Sequence, residues 1–94
     1  MRITKHMIQQ TIVIQNQLGL HTRAAAKLVD VAKRYESKIE LVFRNRMIDC
    51  KSIMNVITLG AQKDDELQLM ITGNDEDEAL KSILELVDNK FGEN

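Results

Sequence analysis

Polar and apolar residues alternate in four short stretches of the chain, and this period of two is typical of strands with one buried face. In the first stretch Ile8, Ile12 and Ile14 share one parity, so they would line the buried side of a strand. Because Asn45-Arg46 separates the second stretch from the third, those two are predicted to form a hairpin. We therefore predict strands over residues 8–15, 39–44, 47–51 and 66–73.

Three other stretches have the period of an amphipathic helix. Over residues 22–35 the apolar positions recur at steps of three and four, and the alanine-rich beginning favours helix. A shorter helix is predicted after Ser52, which stands at the N-cap position, and Gly60 can end it. The last predicted helix has a broad apolar stripe and is capped by Asn74 or Asp75.

The predicted order is strand, helix, strand, strand, short helix, strand, helix, which places the chain in the α+β class. Strands that alternate in polarity favour a single antiparallel sheet with one polar face and one face covered by helices. The same order also fits a ferredoxin-like sheet. Because the alternation starts after residues 1–6, we predict an N-terminal extension there and a single domain over residues 7–94.

Composition argues against several classes of function. The net charge is −1 with 44% apolar and 29% charged residues, which is typical of a globular domain with no general attraction for nucleic acid. The single tyrosine and two phenylalanines are not interleaved with basic residues, as a nucleic-acid surface would require. No apolar run approaches the ~20 residues of a membrane span, and no signal-peptide core is present. We expect a cytoplasmic protein without nucleic-acid or membrane partners.

Neither a cofactor nor a metal is expected. Cys50 is the one cysteine, so it cannot form an internal disulfide, and it has no Cys or His at metal-ligand spacing. We interpret Cys50 as a small strand residue that faces the core together with Ile48. The acidic run at residues 75–78 lacks the spacing and terminal glutamate of a calcium loop, and it suits the positive end of the last helix instead.

A possible site for chemistry lies where the first strand stops at Gly19 and the next helix begins with His21 and Arg23. The first N–H groups of a helix lack backbone partners and carry partial positive charge, so an anion is stabilised there. Histidine can carry a transferable group on a ring nitrogen, and arginine presents a fork of donors to phosphate oxygens. These residue types predict a phosphate site with its own nucleophile. The alternative is a histidine that serves as a cap or a partly buried core residue.

Two motifs in the same order resemble the HPr family of phosphocarrier proteins of the bacterial phosphotransferase system. The first is Gly-Leu-His-Thr-Arg-Ala-Ala-Ala at residues 19–26, and the second is Lys-Ser-Ile-Met at residues 51–54, followed by Thr-Leu-Gly at residues 58–60. The resemblance implies an open-faced β-sandwich, with a four-stranded antiparallel sheet and three helices on one face, in the order βαββαβα. It also implies a phosphoryl carrier rather than an enzyme.

The resemblance assigns roles to individual residues. His21 matches the phosphorylated histidine and Arg23 the arginine that contacts the phosphate. Enzyme I would donate the phosphoryl group and a IIA-type domain would receive it. Ser52 matches a regulatory serine that an HPr serine kinase modifies in some bacteria, although a plain N-cap is the preferred interpretation of this residue. The family's partner-docking surface matches Leu20, Thr22, Ala26, Ile53, Met54 and Ile57, and we expect a monomer.

Two departures from the family pattern leave the role open. Ala24 stands where many members have proline. Asp30 replaces a lysine common in carbohydrate-system members, and the tail at residues 86–94 is similar to that of the nitrogen-related branch, so sugar uptake and a nitrogen-related relay both fit. One alternative is an HPr-like regulatory interaction module without phosphotransfer through His21. Another is a ferredoxin-like hydrolase that uses Arg23, but it lacks a recognisable water-positioning residue.

Overall fold

A computed structural model describes residues 7–93, and its element order is the predicted one. The strands are β1 (Ile8–Val13), β2 (Lys38–Phe43), β3 (Arg46–Asp49) and β4 (Glu66–Thr72). The helices are α1 (Thr22–Ala32), α2 (Ile53–Thr58) and α3 (Glu76–Asp88), and a single 3₁₀ turn, Lys90–Gly92, follows α3. The predicted extension at residues 1–6 lies outside the described residues.

The four strands form one antiparallel sheet in the order β1-β4-β2-β3. Among the strands of residues 7–93, β1 pairs only with β4, so it lies at an edge of this sheet. Ile12 faces Leu67, and Ile39 faces Ile71, across neighbouring strands. All of these side chains are buried, which confirms the predicted parity of the strands.

The helices cover one face of the sheet and complete the core. The buried stripe of α1 includes Ala25, Leu28 and Ala32, and that of α3 includes Ile83 and Val87. The other face of the sheet carries the more exposed members of each strand. Within residues 7–93, the helices are all too short or too polar to cross a membrane.

The hairpin turn lies one residue earlier than predicted. Phe43 pairs with Arg46, so the turn residues are Arg44 and Asn45 rather than Asn45 and Arg46. Both have positive φ, 52° and 65°, as a type I′ turn requires. The shift follows from parity, because this pairing keeps Phe43 and Ile48 on the buried face.

Helix ends also differ in detail from the sequence prediction. α1 ends at Ala32 instead of continuing to Tyr35. Asp75 is the N-cap residue of α3, as predicted, but its side chain does not cap that helix. Its carboxylate accepts hydrogen bonds from the Ser37 hydroxyl (2.5 Å) and from the backbone N–H groups of Glu36 (2.9 Å) and Ser37 (3.0 Å). Asp75 therefore ties the loop after α1 to the start of α3.

Candidate functional site

His21 is the N-cap residue of α1 and has an extended backbone, with φ −75° and ψ −178°. Its carbonyl accepts the N–H of Ala25 (2.8 Å), which starts the helix. No side chain in the described part of the protein caps this end of α1. The first N–H groups of the helix therefore remain available to an anion beside the imidazole, whose side chain is 26% exposed.

Gly19 determines how the chain approaches His21. Its φ is +71°, and a Cβ there would lie 2.6 Å from the carbonyl oxygen of Ala61. The same carbonyl accepts the N–H of Leu20 at 2.9 Å. Only glycine tolerates both the left-handed backbone and this close approach, so it fixes the direction in which the chain enters α1.

A carboxylate that the sequence analysis did not anticipate meets the imidazole. Oε2 of Glu93 lies 2.6 Å from Nε2 of His21. The other oxygen, Oε1, accepts a hydrogen bond from Nδ2 of Asn16 at 3.0 Å. Asn16 is fully buried, and its Nδ2 also donates to the carbonyl of Gly19 at 2.8 Å. Asn16, Glu93 and His21 thus form a continuous chain of hydrogen bonds.

Glu93 is held in its charged form. Burial opposes this charge, but hydrogen bonds from Asn16 and His21, together with the charges of His21 and Arg23, hold the pKa of the Glu93 carboxyl below its ordinary value. An ionised carboxylate only accepts hydrogen bonds, so Nε2 of His21 must be the donor in the 2.6 Å contact. Nδ1 is then the ring nitrogen that this hydrogen bond leaves unused.

Arg23 lies in the first turn of α1 and is exposed. Its charge is one of the causes that lower the pKa of the Glu93 carboxyl. The structure places Arg23 two residues from His21 at the uncapped start of α1. It adds Glu93 and Asn16, for which no local sequence signal existed.

The surroundings of His21 are shallow. A hollow of about 270 Å³ beside it is lined by residues that include Leu18, Thr22 and Ile57. A larger hollow, of about 540 Å³, lies between the end of α1 and α3, where Arg34 and Glu78 line it with charges of both signs. His21 does not line that larger hollow, so the candidate site is the smaller hollow beside His21.

The predicted docking residues divide by exposure. Met54 is 62% exposed, Thr22 and Ala26 are exposed, and Ile53 and Ile57 are partly buried. Leu20 is 3% exposed, so its side chain belongs mainly to the core. Leu18 was not among the predicted docking residues, but it is 65% exposed and lines the hollow beside His21.

Ser52 occupies the N-cap position of α2, as predicted. Its Oγ accepts the N–H of Asn55 at 3.4 Å, and the residue is partly buried. The hydroxyl therefore has a structural role as a cap. Its regulatory phosphorylation stays a prediction.

The two departures from the family pattern fit the helix without distortion. Ala24 is fully buried inside the first turn of α1, and the helix starts at Thr22 without a proline. Asp30 is exposed and pairs with Arg34 one turn later at 3.5 Å. Such an exposed pair contributes little to stability.

Known proteins resemble this chain over most of its length. The sequence model of the family described as "PTS HPr component phosphorylation site" matches residues 8–89. The phosphocarrier protein HPr of Pseudomonas aeruginosa is 50% identical over 84 residues, covering 87% of this chain and 92% of that protein. The phosphocarrier protein HPr of Cupriavidus necator is 41% identical over 87 residues, covering 93% of this chain and 98% of that protein.

A solved structure agrees with the sequence comparisons. HPr-C-His from Thermoanaerobacter tengcongensis has a TM-score of 0.89 and 38% identity, and the match covers 93% of this chain and 98% of that chain. This likeness confirms the predicted open-faced β-sandwich. The chain belongs to the HPr family, the phosphocarrier proteins of the bacterial phosphotransferase system, and is a carrier rather than an enzyme.

Proposed function

We propose that the chain accepts a phosphoryl group from Enzyme I on Nδ1 of His21 and passes it to a IIA-type domain in the cytoplasm. The hydrogen bond between Nε2 of His21 and Glu93 carries this proposal, because it leaves Nδ1 as the nucleophilic nitrogen. The uncapped start of α1 lies at the same residue and supplies N–H groups for phosphate oxygens.

The transfer exchanges one phosphorus–nitrogen bond for another. As phosphorus bonds to Nδ1 of His21, its bond to the donor's nitrogen breaks, and the donor keeps that electron pair. Arg23 and the helix N–H groups stabilise the charge on the phosphoryl oxygens during this step. Onward transfer is the same exchange, with His21 as the leaving group.

The site's moderate strength suits a carrier. An exposed arginine and one helix end hold an anion without enclosing it, and the hollow beside His21 is shallow. A deep pocket with several cations would hold the phosphate too tightly for onward transfer. The partner proteins then supply the remaining surroundings of the transition state.

The exposed apolar side chains beside His21 and on α2 are the proposed contact surface for both partners. Met54 and Leu18 are the most exposed of these residues. A small apolar patch suits complexes that form and separate quickly. The acceptor is a IIA-type domain of either a sugar-uptake or a nitrogen-related system, and parallel transfer assays with one domain of each kind would distinguish them.

The test of this function is phosphorylation in a defined mixture. The protein is incubated with phosphoenolpyruvate and Enzyme I, and bound phosphate is read by intact mass at neutral or mildly alkaline pH. We expect one acid-labile phosphate on the native chain and none on His21→Ala. A native chain that stays unmodified by an Enzyme I active on another carrier would favour the regulatory interaction module instead.

We further propose that an HPr serine kinase modifies Ser52. The partly buried hydroxyl lies at the start of α2, next to the exposed Met54. A phosphate there would add negative charge to the contact surface and weaken the approach of a phosphorylated partner. Incubation with such a kinase, followed by mapping of the modified peptide, tests this, with Ser52→Ala as the control. A phosphate-free peptide would contradict it.

A further inference from the structure

We propose that Glu93 is a positioning residue for phosphoryl transfer, held by Asn16 and directed at the ring of His21. This inference rests on the proposed function of His21. The family match ends at residue 89, so Glu93 lies beyond the part of the chain that this match assigns.

The tail reaches His21 by an unusual backbone path. Lys90, Phe91 and Gly92 all have positive φ, of 55°, 54° and 75°. Two of these residues are not glycine, and such residues adopt this conformation only when surrounding contacts impose it. The chain therefore needs anchors on both sides of the turn.

Two contacts anchor the turn against α1. The Phe91 side chain is 1% exposed and is the largest of the fully buried side chains. Its carbonyl accepts a hydrogen bond from Nζ of Lys27 at 2.7 Å. Together they hold the turn against the helix that His21 begins, which brings Glu93 to the imidazole.

Asn16 then fixes the carboxylate. Its Nδ2 donates to the Gly19 carbonyl (2.8 Å) and to Oε1 of Glu93 (3.0 Å), so both amide hydrogens are used. Because Gly19 shapes the entry into α1, the amide joins the loop that positions His21 to the tail that positions Glu93. Asn16 is 0% exposed, so water does not compete for these hydrogen bonds.

The carboxylate controls the proton on the imidazole. Ionised Glu93 accepts from Nε2–H, which selects the tautomer whose lone pair is on Nδ1. When Nδ1 bonds to phosphorus, the proton stays on Nε2 and positive charge spreads over the ring. Glu93 stabilises that charge from the opposite side of the ring, as a buried carboxylate does for the histidine of a serine hydrolase. Arg23 offsets the repulsion between Glu93 and the phosphate.

Two substitutions test the carboxylate. Glu93→Gln removes the charge and leaves one side-chain oxygen, for which Nε2–H of His21 and Nδ2 of Asn16 then compete, whereas Glu93→Ala removes the charge and both oxygens. Glu85→Gln, on an exposed residue of α3, is the matched control. Each variant is phosphorylated by Enzyme I and, separately, by the small donor phosphoramidate, which needs no docking surface. The ¹⁵N shifts of the His21 ring report its tautomer directly.

We expect Glu93→Ala to slow phosphorylation by both donors roughly 10-fold or more, by analogy with the loss of a carboxylate that orients a metal-binding histidine. Its ring nitrogens should show a mixture of tautomers. Glu93→Gln should also lose rate, because its amide carries no negative charge to stabilise the ring, and Glu85→Gln should match the native protein.

Equal rates and equal ¹⁵N shifts in Glu93→Ala and the native chain would overturn the proposal and leave the proposed function intact. A native chain that reacts with phosphoramidate but not with Enzyme I would overturn the proposed function alone, since the Glu93 comparison is still measured with the small donor. A slower Glu93→Ala with an unchanged tautomer would also overturn the proposal, because the proposal states that Glu93 positions the His21 ring and selects its tautomer.

Discussion

Glu93 and His21 are 72 residues apart in the chain, yet their side chains meet at 2.6 Å at the start of α1. This contact joins the tail to His21, the residue that we propose is phosphorylated. It links stability to function, because any change that displaces the tail also removes the carboxylate from the imidazole.

Replacing Phe91 with alanine should destabilise the fold and slow phosphorylation together. Removing a buried phenylalanine costs about 3–5 kcal/mol, to be measured by urea unfolding. In the fraction that remains folded, Glu93 should leave His21, and the phosphorylation rate should fall to that of Glu93→Ala. Met54→Ala, on a 62% exposed side chain, should change stability by no more than about 0.5 kcal/mol. A destabilised Phe91→Ala with the native rate per folded molecule would separate the two roles.

Gly19→Ala should be more damaging than Gly60→Ala, although the two glycines have nearly the same φ, +71° and +69°. At Gly60 a Cβ meets nothing within 4 Å, so the cost is the left-handed backbone alone, about 1 kcal/mol. At Gly19 the Cβ would also lie 2.6 Å from the Ala61 carbonyl oxygen, and the loop must move. Thermal unfolding of the pair measures the difference. Similar melting temperatures would mean that the loop adapts without strain.

Arg23→Ala should slow transfer from Enzyme I by roughly 100-fold while leaving the fold intact, as the loss of one donor to a developing oxyanion does elsewhere. Arg23 is exposed, so the circular dichroism spectrum should not change. Lys33→Ala, at the other end of α1, is the control for a general loss of positive charge. If both variants lose rate equally, long-range attraction rather than contact with the phosphate explains the effect.

Stability should fall as the pH drops below the ordinary carboxyl range. The Ser37 hydroxyl and the Glu36 N–H lower the pKa of Asp75, so the folded protein releases that proton more readily than the unfolded chain. The resulting stabilisation is complete above the unfolded pKa and is lost as the pH falls through the lowered folded value. Urea unfolding at several pH values measures this slope. Asp75→Asn should flatten it, and an unchanged slope would assign the effect to other carboxyls.

The Cys50 thiol should be inert in the folded protein. Burial, with the nearby charges of Asp49 and Glu40, raises the pKa of Cys50 far above neutral, and the side chain is 0% exposed. A thiol reagent added to the native protein should therefore react only at the rate of unfolding, and at once in denaturant. Fast reaction under native conditions would show that the region after β3 opens locally.

The buried faces of the strands and helices can be predicted from patterns within short segments of the sequence. Strand parity predicted the buried faces at Ile12 and Ile71, and the helical period predicted the stripe of α1, because both depend only on neighbouring residues. His21 and Arg23 could be recognised as a pair because they are two residues apart at a helix start. The hairpin turn was misplaced by one residue, since only pairing with the opposite strand fixes the register.

Tertiary structure alone decided what surrounds His21. Asn16 looked like part of a loop, and Glu93 like one more acidic residue near the end of the chain. Their meeting depends on the left-handed turn at Lys90–Gly92, which forms because Phe91 is buried and Lys27 binds its carbonyl. No local pattern predicts such a path, since the contacts that offset its backbone cost come from another helix. The chain therefore specifies His21, the proposed nucleophile, locally, whereas the carboxylate that contacts its ring arrives only once the core has formed.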